Sequence, residues 1–597
     1  MRHTGHSDPP TNLLDRLDAH LAAHGASDAL LPVVPFRPAP ADVRLELRDP
    51  AWRASATGDR ALAALLEGGD GLAVAPTHAG RAPASAAAAA GLAVRFVDEA
   101  LAALGAVLER GEPDPLHTRR VGSGCRWVVN FGDPNTTKAL HVGHLRNVAI
   151  GNAIAGAAQA LGIDVVRQSR VGDFGRSMGE AMAGYLAHGG GRTPEQHGEK
   201  GDRLIGECYL RYVQSLPPRV VAPADGGQGA EDGDAALSRE RVVRRDAAEE
   251  LLERWRQGDP TATRLFEDVR RWVTDGHDAT YARLGVRVDR TLFESDYLAH
   301  GEALARRALA QGAIERVASG ATMYSTGEPS YPRLLLHRRD GFPTQHLRYL
   351  ATYDALRPAL DGARSIAVFG SEWRGLIRAC EALLRRLYPA EQVHPTDNLM
   401  HEMVLGDGGD AVKSSRGGAL LVDELFERVA SCGPVAGLAR RHGRHDADEL
   451  TRIVLLGWFL GRPLQQRIPV ALEELLDPRR NVGWSLAQAW ARAWDPAHDG
   501  GPDPDPGDPA YRFVLVQSQR HRRLLARQAE QLDLLPFVRF HYHLSRWFAG
   551  VPATPRLARA LRAVLGEGLV ALGLAEAGSA AGAIAAAGDG REAACPP

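Results

Sequence analysis

Pro134-Asn135-Thr136-Thr137-Lys138-Ala139-Leu140-His141-Val142-Gly143-His144 lies between two runs of different character. Before it, Trp127-Val128-Val129-Asn130-Phe131 reads as a buried strand. After it, an Ala-rich run from Leu145 to Leu161 carries Leu145, Val148, Ile150, Ile154 and Leu161 at helical spacing, and Val165-Val166 reads as a second strand. Strand, loop, helix, strand is the opening of a βαβ unit, so an α/β fold is expected. The first N–H groups of a helix have no intrahelical partner, and its dipole favours an anion there. Two imidazoles three residues apart, with Gly143 between them, flank a point where backbone can approach a flat ligand. Lys138 adds a compact positive charge. The stretch therefore reads as a nucleotide phosphate site without the Gly-rich Walker pattern. A zinc pair or two ordinary surface histidines are the competing readings of the same residues. Zinc wants a third or fourth ligand, and none is evident nearby, so no metal site is expected.

Further out, Ser365 to Gly370 reads as another buried parallel strand and Met403-Val404-Leu405 as a last short one. The latter runs into Gly406-Asp407-Gly408-Gly409-Asp410-Ala411-Val412-Lys413-Ser414-Ser415-Arg416-Gly417-Gly418, a glycine-rich loop able to close over a triphosphate, though a plain surface loop is equally compatible. Helical periodicity is expected from Ala247 to Leu284, from Asp446 to Trp494, and in at least two amphipathic helices between Tyr511 and Leu574. Residues 1–11, Val220 to Glu240 and the segment from Ala575 onward read as flexible or low in complexity.

Composition narrows the classes. The 597 residues hold 71 Lys+Arg against 73 Asp+Glu, so global basicity announces no nucleic-acid partner, although a local basic face remains open. Only Lys138, Lys200 and Lys413 are lysines; every other basic residue of that count is arginine. The five cysteines are widely spaced with no C-x-x-C, which predicts a reducing compartment and no disulfide framework. Met1 to Thr11 is polar, and no run of about 20 apolar residues occurs, so a soluble cytoplasmic protein without a membrane partner is expected.

Taken together, the two loops resemble the signature sequences of class I aminoacyl-tRNA synthetases. His141-Val142-Gly143-His144 resembles the HIGH sequence, and Val412-Lys413-Ser414-Ser415-Arg416 a degenerate KMSKS sequence. The surroundings resemble the arginyl-tRNA synthetase family: Pro134 to Arg146, Val171-Gly172-Asp173-Phe174-Gly175, Tyr281 to Val286 with Glu294-Ser295 and Tyr297, and Asn481-Val482-Gly483-Trp484 followed by Gln488, Ala491 and Arg492. The resemblance implies a Rossmann-like catalytic domain, an N-terminal α+β domain and an all-α C-terminal domain. The expected boundaries are 1–118, a catalytic domain over 119–425 with an insertion at about 190–340, a helical connecting region over 426–495, a linker over 496–509, a DALR-like anticodon-binding domain over 510–575 and a disordered tail over 576–597. It further implies ATP with Mg as cofactor, an amino acid and tRNA as partners, and a monomer. His141, His144, Lys138 and Lys413 would be catalytic, with Gly143, Ser414 and Ser415 joining the ATP site. Arg520, Arg522, Arg523 and Arg527, interleaved with aromatics such as Phe537 and Phe540, would face tRNA.

The chain departs from that family where the amino-acid side chain is read. The family's Glu five residues before the motif Asn is Asn130 here. In its Asp-Gly-x-x-x-Tyr-x-Thr-Arg-Asp-x-Ala stretch, matched by Asp340 to Ala351, the Tyr is Gln345 and the second Asp is Tyr349. Asn135 is kept, and Glu372 is the nearest carboxylate that could stand in. A planar cation wants a bidentate carboxylate, so loss of these acids predicts altered specificity for arginine. Two alternatives follow: a paralogue activating another amino acid for tRNA or a small-molecule acceptor, and a non-catalytic tRNA-binding regulator.

Overall fold

The computed structural model describes strands at 30–33, 43–47, 72–76 and 92–96, and then residues 126–216, 247–327, 331–405, 420–442, 447–498 and 508–575. The four early strands form one antiparallel sheet in which Val43–Leu47 and Leu72–Pro76 flank Leu92–Phe96. The flexible segments expected at 1–11 and 220–240, the Lys413 loop and the tail over 576–597 lie outside the described residues.

The central sheet has five parallel strands: β1 (Arg126–Asn130), β2 (Asp164–Val171), β3 (Arg290–Phe293), β4 (Ala363–Gly370) and β5 (Thr396–His401), in the order β5-β4-β1-β2-β3. The chain winds from β1 outward through β2 and β3, then returns to the other side of β1. The order thus reverses between β1 and β4, and in open α/β sheets that is where a crevice opens beyond the strands' carboxyl ends. β1 and β4 carry the apolar runs, while β2 is apolar at Val165, Val166 and Val171 and buries Arg167, Gln168, Ser169 and Arg170 between them. Within β4, Ile366 and Val368 pack on one face while Ala367 and Phe369 pack on the other. The two edge strands β3 and β5 were not legible in the sequence. Thr396-Asp397-Asn398 is polar because an edge strand need not bury both faces. Val404–Leu405, expected as a strand, pairs with Ile468–Pro469 outside this sheet. A small antiparallel sheet at 315–337 within the insertion was equally unforeseen. The helical stretch from Ala247 breaks at Gly258 (φ +78°), after which Asp259 caps a new helix, Pro260–Arg283.

Helix α1 (Val142–Ala160) is buried almost all round, which explains its Ala and Gly content. Gly151 lies against the Phe131 ring, and Gly156 against the backbone carbonyls of Val570 and Ala571 in α2 (Pro555–Ala571). Three C-terminal helices occupy the Tyr511–Leu574 region, in keeping with the expectation of at least two: Pro509–Gln531, Leu535–Ala549 and α2. They share one apolar core with α1 and the sheet.

Arg146 is wholly buried in α1 and meets no carboxylate. Its guanidinium donates to four carbonyls: Glu402 at 2.7 Å, Gln466 at 2.6 Å, Pro463 at 2.7 Å and Leu464 at 3.2 Å. It thereby ties α1 to the segment after β5, from which the Lys413 loop departs. Replacing Arg146 by Met strands those buried acceptors, so Arg146→Met is expected to lower unfolding stability by about 2–5 kcal/mol. A denaturant midpoint equal to wild type would contradict this role.

Candidate active site

The crevice at the sheet's switch point is an open cleft of about 300 Å³, and every strand of the central sheet contributes to it from its carboxyl end. Gly132, Asp133 and Asn135 come after β1, Gly172 after β2, Glu294 after β3, Phe369, Gly370, Glu372 and Trp373 from the end of β4, and His401 from β5. His141, Gly143 and His144 close it from the start of α1. Asn147, one turn into the helix, holds the cleft open at its base. Its carbonyl oxygen accepts from Gly132 N (2.6 Å) and its amide donates to the Val368 carbonyl (2.7 Å), joining β1 to β4. Sequence reasoning missed Asn147, since an Asn in a helix gives no signal of its own.

The two histidines cap α1 reciprocally. His141 is the N-cap, and its Nδ1 accepts from Gly143 N at 3.2 Å, while His144 Nδ1 accepts from His141 N at 3.1 Å. A neutral imidazole that accepts at Nδ1 carries its proton at Nε2, so both rings keep Nε2–H as a donor. Burial pushes the His141 pKa down to about 4, helped by the Lys138 charge, and burial drives His144 well below its ordinary value, helped by His141. The ring centroids lie 4.0 Å apart. Gly143 serves this arrangement directly, since a Cβ there would stand 2.9 Å from the His141 ring. Backbone pairing also fastens this turn to the segment following the Lys413 loop: Val142 N donates to Leu420 O (3.1 Å) and Val422 N to Leu140 O (2.9 Å).

Lys138 departs from expectation. It does not line the cleft; its ammonium lies 6.0 Å from the Tyr209 ring centroid, beside the insertion helix Gly201–Gln214. Burial lowers its pKa to about 8. Its carbonyl bonds His277 Nε2 at 2.9 Å. Lys200 joins Thr280 Oγ1 and Asp423 Oδ2, each at 2.6 Å, and so fixes the helix Pro260–Arg283 to the helix Val422–Ala430. Lys413, Ser414 and Ser415 lie outside the described residues.

The Gly172-to-Gly175 turn and the Glu294–Tyr297 turn converge through Asp173. This fully buried carboxylate accepts from Ser295 N (2.9 Å) and Oγ (2.5 Å), and its pKa is raised to about 6 by burial. Glu294 is thereby presented to the cleft. Asn135 keeps its place in the cleft and pairs with Gly172, where any side chain would collide with its carbonyl oxygen. His401 was not singled out by the sequence. Its Nδ1 donates to the Glu402 carbonyl (3.0 Å), which leaves a buried Nε2 acceptor at the cleft wall.

The side-chain-reading positions divide. Gln345 and Glu372 line the cleft, but Asn130 and Tyr349 do not. They line a separate cavity of about 50 Å³ beneath it, together with Gln168. Asn130 spends its amide on both oxygens of Asp133 (3.0 Å each) and accepts from Gln168 (3.2 Å). The Tyr349 ring lies under the Arg170 guanidinium, 4.3 Å from its centroid. The C-terminal basic stripe is also corrected. Arg520 packs over Phe540 (5.7 Å) and Arg522 sits half-buried 3.9 Å from Glu567. Arg523 is half-buried, and Arg527 alone of the four is exposed. Phe537 and Phe540 are core residues, not stacking platforms.

Comparison with known proteins agrees with this geometry. Residues 116–197 match the family model for the catalytic domain of class I (R) tRNA synthetases. Curated arginine–tRNA ligases are similar: that of Amoebophilus asiaticus is 28% identical over 365 residues, covering 60% of this chain and 59% of the relative. The Bacteroides thetaiotaomicron protein is 28% identical over 380 residues, covering 61% of each. The chain thus spans about three-fifths of the length of the curated relatives it matches. Among solved structures, Thermus thermophilus arginyl-tRNA synthetase superposes with a TM-score of 0.63 at 20% identity, covering 94% of this chain and 98% of that one. The Plasmodium falciparum enzyme gives 0.61 at 12%, covering 95% and 98%. The chain has the arginyl-tRNA synthetase fold. Among the described residues no helix is long and apolar enough to cross a membrane.

The backbone bonds make a spectroscopic prediction. Nitrogen-15 spectra of His141 and His144 are expected to show the neutral Nε2–H tautomer, unchanged between pH 5.5 and 8. A midpoint near the ordinary value of about 6.5 would contradict the cap.

Proposed function

We propose that this chain is an ATP-dependent ligase that activates an amino acid as its adenylate and passes the aminoacyl group to tRNA. The observation that carries this reading is the pair of neutral, tautomer-fixed imidazoles at the start of α1, set at the switch point of a parallel sheet. In the first step an amino-acid carboxylate oxygen attacks the α-phosphorus of ATP. The bond to the bridging oxygen breaks, and pyrophosphate leaves with the electron pair. No proton moves in that step, so the protein's work is positioning and charge stabilisation. The Nε2–H groups of His141 and His144 would be donors for the developing phosphate charge. Because both rings stay neutral, they give hydrogen bonds without lingering as charges once pyrophosphate departs. In the second step a ribose hydroxyl of the tRNA terminus attacks the carbonyl carbon, and AMP leaves.

Asn135 and the exposed Glu372 face the part of the cleft where the amino acid's α-groups would lie. Lys413, on the loop whose flanking residue Leu420 pairs beside His141, would act on pyrophosphate together with Ser414 and Ser415. Among the described residues no three His, Cys, Asp or Glu side chains converge on a metal position, so magnesium would enter on the ATP phosphates as part of the substrate. Arg527 remains as an exposed contact for tRNA, alongside the exposed Arg539 and Arg546. The setting for this work would be the cytoplasm, with the chain acting as a monomer.

ATP–pyrophosphate exchange over all common amino acids, with and without tRNA, tests the reading. Exchange with at least one amino acid is expected. No exchange under any condition, together with tRNA binding, would replace it with the regulatory reading. Lys138 adds a pH prediction. A lysine with a pKa of about 8 is charged below that pH and neutral above it. If its charge supports ATP capture, kcat/KM for ATP falls as pH rises through 8. Lys138→Arg, whose charge persists, should abolish that fall. An identical decline in both proteins would remove Lys138 from the phosphate site.

A further inference from the structure

One charged side chain stands between the cleft and the cavity beneath it. Arg170, at the end of β2, lines both, and its side chain is only 9% exposed. Its guanidinium carbon lies over the Tyr349 ring at 4.3 Å and over the Trp373 ring at 5.9 Å. The aromatic floor that could receive a planar cation therefore already holds one, supplied by the chain itself.

The buried acids of the cleft are engaged in the same way. Asp133 accepts from Arg170 N (2.9 Å), lies 3.5 Å from Arg170 Nη2, and takes both bonds from Asn130. Glu294 pairs with Arg348 Nε at 2.8 Å and lies 3.9 Å from Arg170 Nε. Two carboxylates and two guanidiniums thus form one balanced cluster. A further guanidinium entering the cleft would meet Arg170 as a like charge, with both buried acids already paired. Glu372 does not change this, because it is exposed on the rim and suits the α-ammonium that every amino acid carries.

Arg170 is itself under-bonded. A guanidinium has five N–H donors, while this one has a single side-chain hydrogen bond at the 3.5 Å limit and one long ion pair among the described residues. Its remaining donors suit a ligand oxygen in planar, two-point geometry.

We propose that Arg170 is the specificity-determining residue of this cleft, and that the amino acid taken there carries a side-chain carboxylate or carboxamide oxygen, not a guanidinium. The inference rests on the amino-acid activation reading and names its substrate class. Binding of unreactive aminoacyl-sulfamoyl adenosines, measured by calorimetry on the full chain, tests it independently of turnover. The aspartyl, glutamyl, asparaginyl and glutaminyl forms are the probes, with the arginyl form as comparison; the acid and amide pairs tell carboxylate from carboxamide. At least one of the four is expected to bind tenfold or more tighter than the arginyl form. Arg170→Met should erase that preference, and Arg170→Lys, keeping the charge, should restore part of it. Circular dichroism confirms that each variant is folded; if Arg170→Met unfolds, the Arg170→Lys comparison decides. Tightest binding of the arginyl form, equal binding of all five, or a preference untouched by either substitution would overturn the assignment. Preferential binding without pyrophosphate exchange would instead leave the assignment standing and remove the activation reading.

Discussion

The reciprocal cap at the start of α1 is the constraint around which the rest of the structure is arranged. His141 and His144 satisfy two backbone donors that would otherwise be orphaned, and in doing so they fix both tautomers. A local requirement of helix formation and a chemical requirement of the cleft are met by the same two bonds. The surrounding interactions hold that turn in place. Asn147 joins β1 to β4 below it, the Leu420 and Val422 backbone zips to its outer side, and Arg146 ties the following helix turn to the segment after β5. All-round burial of α1 between the sheet and the C-terminal helices leaves the turn little freedom to move.

Much of this was legible in the sequence, and the parts that were not share a reason. β1 and β4 are legible because inner strands of a parallel sheet are mostly apolar on both faces, and β2 only through Val165-Val166. The edge strands β3 and β5 lack that pattern. The first signature predicted the loop, the helix and the two histidines, since those residues sit next to one another in sequence. Asn147, Asp173 and Arg170 act through contacts with residues distant in sequence, and no periodicity encodes such contacts. The C-terminal arginines show the reverse. Their helical spacing suggested an open stripe, whereas packing among the three helices sets Arg520 over Phe540 and Arg522 beside Glu567.

The scarcity of lysine takes on a different meaning once the contacts are known. Lys200 fills a compact site between Thr280 and Asp423, at 2.6 Å from each, where a point charge on a flexible stem fits and a planar fork would not. Arg170 shows the converse. Its planar guanidinium packs on an aromatic ring while lying 3.5 Å from Asp133 and 3.9 Å from Glu294. The positions expected to read an amino-acid side chain, Asn130 and Tyr349, both sit around this arginine: Asn130 bonds its partner Asp133, and the Tyr349 ring lies under its guanidinium.

In the proposed function, the two capped imidazoles stabilise charge on ATP as the α-phosphorus is attacked. Single-turnover adenylate formation, followed with ATP labelled at the α-phosphate and the amino acid that supports exchange, measures that step alone. Replacing His144 by Ala should slow it by roughly 10²–10³-fold, the cost of one lost transition-state donor, while ATP affinity changes far less. An unchanged single-turnover rate in a folded His144→Ala protein would contradict the account.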